Sequence, residues 1–170
     1  MAALTVGPGT DAATEVGPLV NAAAVDKVES LVAGALAAGA RSLAGAGRPD
    51  RPGYYYPPTV LADVPADAAI LAEEIFGPVA PVVTFTGEHE AIRLANATEH
   101  GLVAYVYTGD LARGLRVSER LDAGMIGLNR GVVSDPAAPF GGVKQSGIGR
   151  EGGHEGVLDY TEQKYIATQW

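Results

Sequence analysis

Two carboxylates, Glu73 and Glu74, stand immediately before Phe76-Gly77-Pro78. A carboxylate in this position is suited to accepting a hydrogen bond from a sugar hydroxyl, and the aromatic beside it to covering an apolar ring face. The same residues also describe a helix end with solvated carboxylates, terminated by Gly-Pro. On spacing alone the second reading is the simpler. Further along, Gly147-Ile148-Gly149-Arg150-Glu151-Gly152 satisfies G-x-G-x-x-G, the phosphate-cradling pattern of dinucleotide sites. That mechanism needs a strand before the glycines, a helix after them and an acidic residue about 20 positions on. Phe140 to Ser146 is no strand, Gly152-Gly153-His154-Glu155-Gly156 is a poor helix start, and the chain ends near where the acid should sit. The pattern is therefore not read as a dinucleotide site.

Other reactive side chains are sparse. There is no cysteine, which removes disulfides, thiolate metal sites and thiol nucleophiles from this chain. His89, His100 and His154 lie in polar surroundings without metal-ligand spacing and read as surface residues. Ser118, Ser134 and Ser146 are outside any G-x-S-x-G elbow. The run Tyr54-Tyr55-Tyr56 has no interleaved cations, so it reads as packing rather than as a stacking platform. The net charge of −8 opposes nucleic acid and anionic membrane. No apolar run approaches the roughly 20 residues that span a bilayer. The N-terminus lacks the basic and apolar regions of a signal peptide, and a cytoplasmic location follows by default.

The elements that must position these residues follow from periodicity. Residues 1–20, rich in Gly, Pro and Thr, read as an extended arm or loop. Asn21 is a candidate N-cap for a helix whose inward residues are Val25, Val28, Leu31, Val32, Ala35 and Leu36, with Gly39 just past its end. Gly45 to Pro58 is a turn region and Thr59 to Ala62 a short strand. Ala66 to Ile75 is a short helical candidate and Val79 to Phe85 a strand. Glu88 to Ala97 reads as an amphipathic helix with Ile92, Leu94 and Ala95 inward, closed by Gly101. A strand at Val103 to Tyr107 is followed by a helix capped by Asp110, running to about Asp122, with Leu111, Leu115, Val117 and Leu121 as its apolar members. Met125 to Leu128 is a buried strand. Asn129 to His154 is glycine-rich and aperiodic, and such a loop is more often functional than idle. Lys164 to Trp170 alternates weakly and reads as a terminal strand. Strands alternating with helices imply a layered α/β fold with a largely parallel sheet.

Several ordered motifs carry a family resemblance over nearly the whole chain: VGPGTDAATEVGPLVNAAAVDKVESLV, EEIFGPVAPVVTF, ANATEHGLVAYVYTGD, GMIGLNRG and, most specifically, PFGGVKQSGIGRE. Together they resemble the C-terminal part of the catalytic domain of the aldehyde dehydrogenase family. GVVSDPAAPFGGVKQSGIGREGGHEGVLDY is most similar to the succinate-semialdehyde branch. The resemblance implies that residues 1–150 are part of a catalytic domain, a layered sheet with flanking helices. It implies that residues 151–170 form a tail ending in an oligomerisation strand.

The resemblance also assigns roles. Glu74 matches a glutamate that hydrogen-bonds the nicotinamide ribose of NAD or NADP, and Phe76 an aromatic packed near the nicotinamide. Phe140 matches an aromatic lining the aldehyde tunnel. Ser134 matches a serine that helps arginines bind the substrate carboxylate; Arg130 is not at the position of those arginines. The family's mechanism uses a cysteine thiolate, a general-base glutamate, an asparagine in the oxyanion hole and a cofactor-binding domain. By resemblance all of these would lie before Met1. The expectation is a portion of an NAD(P)-dependent enzyme, inactive alone, whose partners are an aldehyde, the missing N-terminal half or homologous subunits. The alternative is a non-catalytic association module that pairs with itself or with complete family members. Without the cofactor-binding domain, apolar surface around Ile75, Phe76 and Phe140 is expected to be exposed.

Overall fold

The computed structural model describes every residue, Met1–Trp170. The chain divides into two compact units, Met1–Thr86 and Gly87–Trp170.

The first unit is built on helix α1 (Ala22–Ala37). Asn21 adopts extended backbone and its Oδ1 accepts from the Ala24 amide at 2.9 Å, satisfying one of the orphan donors of the first turn. Val25, Val28, Leu31, Val32 and Ala35 are buried along one stripe, whereas Leu36 is exposed one position past it. Gly39, at φ +108°, takes the left-handed conformation that lets the chain reverse. Strands β1 (Arg41–Ala44), β2 (Thr59–Ala62) and β3 (Val79–Pro81) form a sheet in that order. β1 pairs antiparallel and β2–β3 parallel. The α1 stripe packs with Tyr56, Leu61, Val64 and Ile70 to make the core. Each such aliphatic side chain contributes about 2 kcal/mol by leaving water. The two buried polar groups are satisfied: the Tyr56 hydroxyl accepts from the Gly47 amide, and Thr59 Oγ1 donates to the Pro57 carbonyl while accepting from the Ala46 amide.

The second unit contains α2 (Glu88–Asn96), β4 (His100–Gly101), β5 (Val103–Val106), α3 (Leu111–Arg120), β6 (Met125–Leu128), β7 (Val143–Lys144) and α4 (Glu155–Leu158). β5 and β6 pair parallel through the α3 crossover, and β4 pairs antiparallel with β7. Asp110 caps α3 by accepting from the Arg113 amide at 3.0 Å. Glu88 ties the two longer helices together. Its oxygens receive Arg116 Nε and Nη2 at 2.8 and 2.6 Å, with Arg113 Nε 3.9 Å away.

Several expectations need correction. The sheet is not one largely parallel layer but three small sheets, two of which contain antiparallel pairs. Ala66 to Ile75 folds only as a 3-10 turn, Ala69–Leu71, with no side-chain cap at its start. The strand beginning at Val79 stops at Pro81, opposite Leu61; Val82 still donates to the Leu61 carbonyl, and residues 82–85 join no strand. Gly101 does not close α2. The helix ends at Asn96, whose side chain turns away to bond the Arg120 carbonyl and the Asp122 amide. Ala95 is exposed. In α3 the face turned to the sheet centres on Gly114, packed against Leu128, so Leu111 and Leu115 are exposed. Lys164 to Trp170 pairs with no strand in this chain and is exposed throughout. No helix is long and apolar enough to cross a membrane.

Candidate cofactor and substrate surfaces

In the first unit, Glu74 and Phe76 lie on the irregular segment between the 3-10 turn and β3. Lys27, projecting from α1, donates to the Glu74 backbone carbonyl at 2.6 Å, and its ammonium lies 4.0 Å from Glu73 Oε2. This bond fixes the main chain at Glu74 while leaving the Glu74 carboxylate exposed and free of any partner within the chain. Two residues on, Phe76 has φ +48° and is 79% exposed. A bulky residue in left-handed backbone costs about 1 kcal/mol or more, and here no ring packing offsets it. The chemistry available is an unpaired acceptor pair beside an exposed aromatic face. Ile75, between them, is half-buried against the core.

In the second unit, Ser134 and Phe140 lie on the loop that follows β6. Ser134 is exposed, its hydroxyl unpartnered within the chain. Arg130 bonds back to the Val132 carbonyl at 2.6 Å, so its guanidinium serves its own loop rather than Ser134. Phe140 is half-buried. Its amide and carbonyl exchange two 2.7 Å hydrogen bonds with Glu151, closing the stretch between them into a loop. Within that loop Arg150 Nη1 donates to the carbonyls of Gly142 and Gly149 at 2.7 and 2.8 Å, and the Arg150 amide donates to Asp159 Oδ2 at 2.7 Å. Ser146 Oγ accepts from the Gly101 amide at 3.0 Å. Lys144 Nζ reaches the carbonyls of Asn96 and Thr98, both at 3.1 Å, and Asp122 at 3.4 Å.

A cavity of about 440 Å³ lies against this loop, lined by Phe140, Ser146, Arg150, Glu151, Asp159 and Tyr160 among others. Phe140 faces the cavity; Ser134 is not among its lining residues. The residues of the G-x-G-x-x-G match therefore sit in an arginine-clamped loop. Spacing did not single out Arg150 or Lys144, and it raised Ser146 only as a nucleophile, not as the acceptor for the Gly101 amide. A lone cation inside a glycine run was the available signal, since such a side chain has many nearby carbonyls to satisfy.

The pattern that defines the "Aldehyde dehydrogenase family" matches residues 1–166. A succinate-semialdehyde dehydrogenase of Paenarthrobacter nicotinovorans is 59% identical over 98% of this chain and 37% of its own length. The crystal structure of an E. coli NADP-dependent enzyme superposes with a TM-score of 0.93 at 48% identity, covering 96% of this chain and 34% of that one. An aldehyde dehydrogenase of Mycobacterium tuberculosis, solved in complex with NAD+, gives a TM-score of 0.89 at 43% identity over 95% of this chain and 34% of that one. The chain thus spans about a third of the length of the relatives it matches. With the family pattern covering 166 residues and the fold superposing on solved members, the chain belongs to the aldehyde dehydrogenase family.

Proposed function

We propose that this chain is the C-terminal portion of the catalytic part of an NAD(P)-dependent aldehyde dehydrogenase that oxidises succinate semialdehyde to the dicarboxylate. Residues 1–150 serve the catalytic domain, and residues 151–170 serve subunit association. The observation that carries the reading is the pairing of an unpartnered Glu74 carboxylate with a Phe76 ring displayed in strained backbone. That geometry suits a ribose hydroxyl and the face of a nicotinamide. The bound cofactor would supply the hydride acceptor. Glu74 would accept a charge-assisted hydrogen bond from a sugar hydroxyl, and Phe76 would cover one ring face. Ser134 donates to the carboxylate tail of the aldehyde, and Phe140 lines its apolar approach.

The chain has no thiol to attack an aldehyde. Glu73 and Glu74 are not substitutes for a general base, because they match a cofactor-binding landmark instead. The purified chain should therefore give no NADH or NADPH from succinate semialdehyde with either cofactor. Turnover at an ordinary enzymatic rate would overturn this reading. A cytoplasmic location is the setting we assign.

One observation favours a second reading, an association module. Tyr160, Tyr165, Ile166 and Trp170 are all exposed at the chain's end, an apolar series suited to a partner's surface. Co-elution with a complete family member in size-exclusion chromatography tests it, and separate elution counts against it.

A further inference from the structure

The β5–β6 ladder ends in a way that sets the course of the loop bearing Ser134. The Asn129 amide donates to the Val106 carbonyl at 2.8 Å, the last main-chain bond of the parallel pair. Beyond it the backbone turns off the sheet, with Asn129 at φ +52°. Its side chain then does what a peptide group would have done. Oδ1 accepts from the Thr108 amide at 2.9 Å, and Nδ2 donates to the Thr108 carbonyl at 2.9 Å. A primary amide holds N–H donors and a carbonyl acceptor in one plane, so with one N–H and its oxygen it pairs with both backbone groups of Thr108 and extends the ladder by a step while the main chain departs. Asparagine is also among the few residues with a side chain that tolerate left-handed backbone. The far side of the loop is pinned by the bond from the Gly153 amide to the Pro136 carbonyl at 3.0 Å and by the Phe140–Glu151 pair.

We infer that Asn129 is a positioning residue for the Ser134 loop: its side-chain amide, paired with both backbone groups of Thr108, fixes the direction in which residues 130–139 leave the sheet. This rests on the proposed substrate role of Ser134 for its functional meaning, but its test does not depend on that role. Neither glycine nor aspartate at 129 can make the pair. Asn129→Gly keeps the left-handed backbone and loses both bonds. Asn129→Asp keeps the acceptor and places a carboxylate against the Thr108 carbonyl.

The test is amide hydrogen exchange and backbone relaxation by NMR on the full 170-residue chain and both variants. The Thr108, Ala137 and Ala138 amides should exchange on the order of tenfold faster in the variants, and residues 130–139 should gain fast motion. The amides of β5, α3 and β6 should keep their protection. Unchanged exchange in the loop would overturn the inference. So would protection lost evenly across β5, α3 and β6, which would reveal general destabilisation rather than positioning. Because no turnover is measured, a failure of the dehydrogenase reading leaves this outcome legible on its own.

Discussion

A methyl group added at Gly124 would drive into the Gly141 carbonyl oxygen and come within 2.8 Å of Gly142 Cα. Backbone cannot yield there as a flexible side chain could. Gly124→Ala should destabilise the second unit by about 3 kcal/mol, read as a lowered urea midpoint. Gly34 is the contrasting case: it lies exposed within α1 with open space around its would-be Cβ. Gly34→Ala should raise stability by about 1 kcal/mol through helix propensity and a less flexible unfolded chain. At this scale, the residues that present the site were less legible than those that form it. Glu74 and Phe76 stand out through the family resemblance, since on spacing alone they read as a solvated helix end. Arg150 and Asn129 do their work on backbone carbonyls and amides, whose positions exist only once the loop has folded.

Helix caps and the helix pair decide the next level. Asn21→Ala removes the α1 cap and should cost about 1 kcal/mol, measurable by thermal unfolding. The α2–α3 pair carries a pH dependence. The Arg116 guanidinium holds the Glu88 carboxyl below the usual carboxylate range. The Arg113 amide, bonded to the Asp110 cap, does the same for Asp110. A carboxyl whose folded pKa is lowered stabilises the fold above its unfolded value, and that stability is lost as pH falls through the folded value. Melting of the second unit should therefore weaken below the ordinary carboxylate range, and Glu88→Gln should flatten the acid side of the profile while lowering the plateau at pH 7.

Element boundaries were legible where a side-chain signal coincided with periodicity. α1 with its Asn21 cap, β2 and β6 are examples. They were not legible where length is set by a partner strand. β3 extends only over its pairing with Thr59 to Leu61, and β1 needs its antiparallel neighbour to be a strand at all. The exposure of Leu111 and Leu115 likewise depends on which face of α3 meets β5 and β6, a choice made by Gly114 rather than by the apolar residues.

At the scale of the molecule, a chain of net charge −8 still leaves Val20, Phe76, Phe85, Tyr107, Leu111 and Trp170 exposed. Like charge resists association, but so much uncovered apolar surface favours it. Light scattering should show concentration-dependent association that strengthens with salt, and removal of residues 162–170 should weaken it. A strict monomer at high concentration would contradict both the apolar accounting and the proposed role of the tail.

The clamped loop from Phe140 to Glu151 bears on how the chain meets a protease. Trypsin needs an extended backbone and a lysine or arginine free to enter its pocket. Lys144 is committed to Asn96, Thr98 and Asp122, and Arg150 to the loop carbonyls. Lys164 sits on an exposed, unpaired tail. Brief digestion should cut after Lys164 first and spare both loop sites, so the glycine-rich stretch that looks most vulnerable in composition should outlast the end of the chain. Mass spectrometry of the first products distinguishes the two orders of cleavage.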